Sequence, residues 1–185
     1  MKVNNMKAVI FDIEGVLIDV SERLKLCLEE TGKKFGKIIR SHKELKGNAR
    51  KYFWNCFMSE KYLEFDKPLE CNIELAKKLQ ENYKLILITG ARDEIARVHE
   101  KRLRNYGLRF IIFSRPKGNR LPSAVFKRRI IEELINEGYE IEKVFEDDEE
   151  NCEMFLRYAK EVYIVKGCEV KLYRKRLNFI LQELK

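Results

Sequence analysis

The chain has 185 residues, with 38 Lys and Arg against 30 Asp and Glu, for a net charge of +8. An apolar share of 45% supports a packed core and excludes a mainly disordered chain. The length suits one domain with a modest insertion, the positive charge favours contact with phosphates or other anions, and no run approaches the roughly 20 apolar residues of a membrane span.

Residues 8–11, Ala-Val-Ile-Phe, are a short apolar run ending on Asp12, which predicts a buried strand with acids at its carboxyl end. Residues 19–68 then pass without a clear strand. Helical patterns cover 20–30, with Leu24, Cys27 and Leu28 on one face, and 43–60, which holds Tyr52, Phe53, Trp54 and Phe57; a turn at 32–36 separates them. This segment is too long for an ordinary loop. Its aromatic cluster reads first as packing, and second as a lid over a ligand. From there helices at 72–81, 93–106, 123–137, 151–160 and 169–184 alternate with apolar runs at 84–89, 109–113, 143–145 and 161–165. Short buried strands alternating with helices predict an α/β fold with a parallel sheet covered on both faces.

Five cysteines, at 27, 56, 71, 152 and 168, are scattered with no CxxC pair. They read as buried or idle thiols rather than a disulfide frame or a zinc site. His42 and His99 are too few for a His-based metal site, and His99 reads as a surface or core residue of a helix. The first six residues lack an apolar signal core, so the expected location is the cytoplasm, with no membrane partner. The basic run at 171–176 reads as a solvated helix face, with phosphate binding as the sharper alternative.

In open parallel sheets, ligands sit beyond the carboxyl ends of the strands. Those ends carry Asp12 and Glu14, then Thr89 and Gly90, then Glu146, Asp147 and Asp148. Clustered carboxylates repel unless a cation joins them, and oxygen-only ligands point to Mg²⁺. Thr89, the amides near Gly90 and a lysine complete a pocket for a phosphoryl group. Two lysines compete for that place. Lys127 is preferred over Lys117, because a helix start fixes a side chain better than a Pro-Lys-Gly loop does.

These residues resemble the motifs of the haloacid dehalogenase superfamily, in order over residues 7–165. Phe11-Asp12-Ile13-Glu14-Gly15-Val16-Leu17 resembles its Asp-x-Asp-Gly-Thr/Val motif, Leu87-Ile88-Thr89-Gly90 its second motif, Lys127 its third-motif lysine, and Val144-Phe145-Glu146-Asp147-Asp148 with Asn151 its acidic motif. The resemblance implies a Mg²⁺-dependent phosphatase that works through an aspartyl phosphate. Asp12 is then the nucleophile and Glu14 the proton donor and acceptor. Thr89, Gly90 and Lys127 bind phosphoryl oxygens, while Asp12, the Ile13 carbonyl, Glu146 and Asp147 ligate the metal. Asp148, as an alternative register of the acidic motif, Arg92 and Lys117 stand as further candidates.

The family's usual second acid is Asp, and Glu14 departs from it, although the Asp-Ile-Glu-Gly form also resembles the enolase-phosphatase branch. A weaker resemblance, to the phosphatase half of phage polynucleotide kinase, rests on Arg23, on Thr89-Gly-Ala-Arg92, on 115–120 and on Glu153-Met154. The expected fold is a three-layer sandwich around a five-stranded parallel sheet, its first strand central and its second and fourth beside it. Residues 1–18 and 69–185 form the core and 19–68 a small helical cap. The expected substrate is a phosphorylated small molecule, with the 3′ end of a nucleic acid as the alternative. A non-catalytic binding protein on the same fold is the rival outside enzymes.

Overall fold

A computed structural model describes residues 6–175. The central strand β1 (Met6–Phe11) is apolar on both faces, as a strand buried between two helical layers must be. Its side chains alternate. Val9 and Phe11 enter one core, with Leu85 and Leu87 of β4 (Lys84–Arg92). Ala8 and Ile10 enter the other, with Ile86 and Ile88. The first core is covered by Ile73 and Ala76 of α3 (Glu70–Leu79) and Leu103 of α4 (Asp93–Asn105). The second is covered by Phe126, Ile131 and Leu134 of α5 (Ser123–Asn136) and by Cys152 and Phe155 of α6 (Glu149–Phe155).

With β5 (Phe110–Arg115), β6 (Tyr139–Glu146), β7 (Glu161–Lys166) and β8 (Glu169–Lys175), the sheet order is β5-β4-β1-β6-β7-β8. The first five run parallel and β1 lies between β4 and β6, as expected. Phe11, Phe145 and Tyr163 lie side by side in this register and stack across three strands, with ring centroids 4.2 and 4.9 Å apart.

The sixth strand corrects the helix expected over 169–184. Within the described residues that segment is β8, antiparallel to β7, so the basic residue Lys171 stands on an edge strand rather than a helix face; Arg176 and beyond lie outside the described residues. The reason is local. Gly167, at φ 59°, turns the chain within two residues, and the returning strand pairs with β7. Residues 139–142 also join β6, because Tyr139 and Ile141 alternate with Glu140 and Glu142.

The insertion leaves the core through β2 (Ile18–Asp19) and returns through β3 (Lys67–Pro68), which pair antiparallel. Its first helix, α1 (Ser21–Phe35), passes through the turn expected at 32–36 and ends at Gly36, which is left-handed at φ 63°. Gly32 sits inside the helix because the returning chain closes on it: a Cβ there would lie 2.6 Å from the Lys37 carbonyl. Helix α2 (Gly47–Phe57) packs Phe53, Cys56 and Phe57 against Cys27 and Leu28.

The cysteines depart from the sequence reading. Cys27 and Cys56 form a disulfide between α1 and α2, and Cys71 and Cys168 form one between α3 and the β7–β8 turn. Both pairs are distant in sequence, by 29 and 97 residues, so only tertiary packing brings them together. Cys152 is a buried free thiol. No helix among the described residues is long and apolar enough to cross a membrane.

Candidate active site

Three buried charges and a partly exposed fourth meet where β1, β6 and α5 converge. Asp12 follows β1, Glu146 ends β6, and Lys127 lies one turn into α5; all three are nearly inaccessible. Lys127 Nζ donates to Asp12 Oδ2 and to Glu146 Oε2, each at 2.7 Å. The remaining oxygen of Asp12 accepts from the Ile13 amide at 2.7 Å, and that of Glu146 from Asn151 Nδ2 at 3.1 Å. Asp147 completes the cluster: one carboxylate oxygen from each of Asp12, Glu146 and Asp147 lies within 4.8 Å of the others.

Gly15 makes room for that approach. It is left-handed at φ 83°, and a Cβ there would lie 2.1 Å from Asp147 Oδ2.

The electrostatics follow from the packing. Burial and the Glu146 charge raise Asp12 well above its ordinary value, against the pull of Lys127. Burial and the Asp12 charge push Asp147 up to about 6. Burial and Asp147 raise Glu146 as well, with Lys127 opposing. Lys127 loses by burial and gains more from Asp12 and Glu146, so its ammonium is held above the usual value. Three carboxylates against one ammonium leave an excess of negative charge in a water-poor site. An oxygen-only donor set with that excess fits a hard divalent cation such as Mg²⁺.

Thr89 and Gly90 lie one strand over. The pairing of β4 with β5 slips between Ile88 and Arg92, so residues 89–91 bulge from the ladder. The buried Thr89 hydroxyl accepts from the Ala91 amide at 3.0 Å and keeps its own hydrogen to donate. Arg115 braces the bulge, its Nε donating to the Gly90 carbonyl at 2.9 Å. In the sequence Arg115 entered only as the first residue of 115–120 in the weaker resemblance; its bracing role carries no sequence signal.

The structure also separates the remaining candidates. Asp148 lines the cleft but caps α6, accepting from the Asn151 amide at 3.1 Å, and it is Glu146 and Asp147 that cluster with Asp12. The Ile13 carbonyl accepts from the amides of Val16, Leu17 and Ile18, which directs it into its own loop. Lys117 is exposed in the loop after β5 and is absent from the cleft lining, whereas Arg92 lines the cleft.

That cleft has a volume of about 730 Å³. Asp12, Glu14 and Asp147 form part of its wall, with Arg50, Trp54, Phe57 and Met58 from the insertion and Arg115 and Arg120 from the core. Of the three consecutive aromatics, Phe53 is buried and Tyr52 donates to Glu30 at 2.6 Å, which leaves Trp54 to line the cleft.

Glu14 is engaged from behind. Arg23 of α1 donates to its Oε1, and Asp66 and His99 stand next to it. Arg23 and His99 had a faint signal in the sequence. Each occupies an apolar stripe, Arg23 four residues before Cys27 and His99 midway between Ile95 and Leu103, where a charged or polar residue is out of place. Asp66 had none.

No protein-family model matches the chain, and no curated protein sequence does. Solved structures do resemble it. A haloacid dehalogenase-like hydrolase from Streptococcus pneumoniae superposes with a TM-score of 0.62 at 16% identity, over 80% of this chain and 79% of that one. A predicted phosphoglycolate phosphatase from Haemophilus somnus gives 0.63 at 13% identity, over 99% and 100%. A chain of the Pnkp1/Rnl/Hen1 complex gives 0.60 at 17% identity, over 89% of this chain; the match spans only 47% of that longer chain. The fold is therefore haloacid dehalogenase-like.

Proposed function

We propose, on the haloacid dehalogenase-like fold shared with these structures, that the chain is a Mg²⁺-dependent phosphomonoester hydrolase working through a phosphoryl group on Asp12. The observation that carries the reading is Lys127 bridging Asp12 and Glu146 beneath Asp147, at the carboxyl edge of the central strands. Asp12 and Asp147, with Glu146 behind them, would hold the metal. When bound, Mg²⁺ offsets the negative charge that a carboxylate meets on approaching a phosphate.

The chain's own groups supply the rest. The Asp12 carboxylate attacks phosphorus while the bond to the leaving oxygen breaks, and Glu14 gives that oxygen its proton. Glu14 then takes a proton from the water that attacks phosphorus and releases Asp12. Thr89 donates its hydroxyl hydrogen, and Lys127 its charge, to the phosphoryl oxygens. Trp54, Phe57 and Met58 screen the phosphoryl-aspartate from bulk water, so the insertion acts as a cap over the cleft.

A second reading, a polynucleotide 3′-phosphatase, draws on the cleft itself. Arg50, Arg92 and Arg120 line it together with Trp54, a set suited to neighbouring phosphates and a stacked base. One similar structure is an RNA repair complex.

The test is turnover of phosphorylated metabolites and 3′-phosphorylated oligonucleotides with Mg²⁺ and with a chelator. Mg²⁺-dependent release of phosphate, abolished in Asp12→Asn, is the expected result. Oligonucleotide turnover that falls steeply with salt selects the second reading. A folded wild type inert on every ester leaves a binding protein on this fold.

A further inference from the structure

Behind the cleft lies a second buried cluster that the hydrolytic residues do not explain. Arg23 comes from α1, Asp66 from the end of the insertion and His99 from α4; the side chains of all three are fully inaccessible. Arg23 Nη2 donates to Glu14 Oε1, its Nη1 to the Phe57 carbonyl at 2.9 Å, and its Nε lies 3.0 Å from Asp66 Oδ1. His99 Nε2 lies 3.4 Å from Asp66 Oδ2 and 3.8 Å from Glu14 Oε1. Glu14, Asp66 and His99 have the spacing of a metal pocket, but Arg23 already stands between the two carboxylates as their cation.

Burying this many ionisable groups together is costly, and an apolar set of the same volume would fill the space at least as well. Of the four, Glu14 alone lines the cleft. The cluster is also rigidly seated. Arg102, one turn after His99 on α4, donates to the carbonyls of Leu63 and Asp66 at 3.0 and 3.1 Å, which fixes Asp66 against His99. Glu14 has one more rotatable bond than an aspartate would, so more must be done to hold its carboxylate in one place.

We propose that Asp66 and His99 are positioning residues for Glu14: they lock Arg23 and the imidazole edge against its carboxylate, so that Glu14 is held where it meets the leaving oxygen. The proposal rests on the reading of Glu14 as the group that transfers that proton. It also gives the insertion a part in the chemistry, because Arg23 and Asp66 both belong to it.

The experiment compares two esters with Mg²⁺ present. p-Nitrophenyl phosphate has a leaving group that departs without a proton, whereas glycerol phosphate needs one. His99→Gln and Asp66→Asn should lower kcat/KM, which reports the step that expels the leaving group, on glycerol phosphate at least about ten-fold more than on the aryl ester, a part of the roughly 10²- to 10⁴-fold that proton transfer contributes. KM should change little. In a Glu14→Gln background the same substitutions should add nothing. Arg102→Gln, which loosens Asp66 without touching Glu14, should show the same selectivity at smaller size and serves if the buried variants do not fold. Equal losses on both esters, or losses that add to those of Glu14→Gln, overturn the proposal while leaving the hydrolase reading intact. A wild type inert on both esters sinks the hydrolase reading, and the positioning role with it.

Discussion

The core and the insertion are held together by different means. The core buries apolar side chains on both faces of β1, β4 and β6, with helices on either side. The insertion has one small cluster around Phe53 and Phe57, and supplements it with other devices. A disulfide joins its two helices, and the Glu30 carboxylate gathers Tyr52, Lys61 and Tyr62. Arg102 holds its final turn onto α4, and Leu63 packs there against Ile95 and against Ala91 at the end of β4. A segment this short cannot enclose enough apolar surface alone, so it relies on cross-links and polar ties. A sheet buried on both sides can instead carry an electrostatically costly site at its edge. The cleft lies on the seam between these two regimes.

Substitutions can break that contrast, and the largest effect belongs to the core site. Asp12→Asn should cut turnover by roughly 10⁴-fold or more while the protein stays folded, since an amide is a poor nucleophile. Steady-state kinetics with circular dichroism checks both halves of that statement.

Next comes the ammonium beneath the site. Lys127→Met leaves Asp12 and Glu146 buried without their shared partner, and should cost about 3 to 5 kcal/mol of stability. Denaturant unfolding measures the loss, and Mg²⁺ should restore part of it by occupying the carboxylates. A loss unaffected by millimolar Mg²⁺ would mean that the acids do not form a metal site.

The insertion should answer to its cross-link. Opening the Cys27–Cys56 bridge, by reductant or by Cys27→Ala with Cys56→Ala, removes a 29-residue constraint worth up to about 3 to 4 kcal/mol. Hydrogen exchange should quicken in α1 and α2 and stay slow in β1 and β4. Equal loosening of both regions would show that the two unfold as one unit.

The smallest effect is at Glu30. Lys61, Tyr52 and Tyr62 hold its carboxyl down at about 2, below the ordinary 4.5. A depressed carboxyl stabilises the fold above pH 4.5, and that contribution fades as pH falls toward 2. Glu30→Gln should therefore cost about 1 kcal/mol or less near neutrality, given its partial exposure, and nothing near pH 2. Melting curves across that range measure the convergence.

How much could be read in advance varied with the range of the interaction. Asp12, Thr89, Glu146 and Asp147 were legible because each follows an apolar run whose length marks a buried strand, and parallel strands deliver their carboxyl ends to one edge. Lys127 was legible from its place at a helix start. Strand β7 was read as a strand, but β8 was misread as part of a helix, because the segment from 169 carries apolar residues at spacings that suit either period, and the two-residue turn at Gly167 was passed over. Which of three adjacent acids lie with Asp12 was undecidable from the sequence; in the structure Glu146 and Asp147 cluster with it while Asp148 caps α6.

The sequence by itself determined the layers, the parallel sheet and the site's edge, because side-chain period and strand length are local properties of the chain. Tertiary structure alone decided which cysteines meet, that Trp54 rather than Tyr52 lines the cleft, and that Glu14 is gripped by Arg23, Asp66 and His99. Those outcomes depend on contacts between residues far apart in the chain, on how α1, α4 and the insertion's last turn are set against one another, and no local pattern encodes that packing.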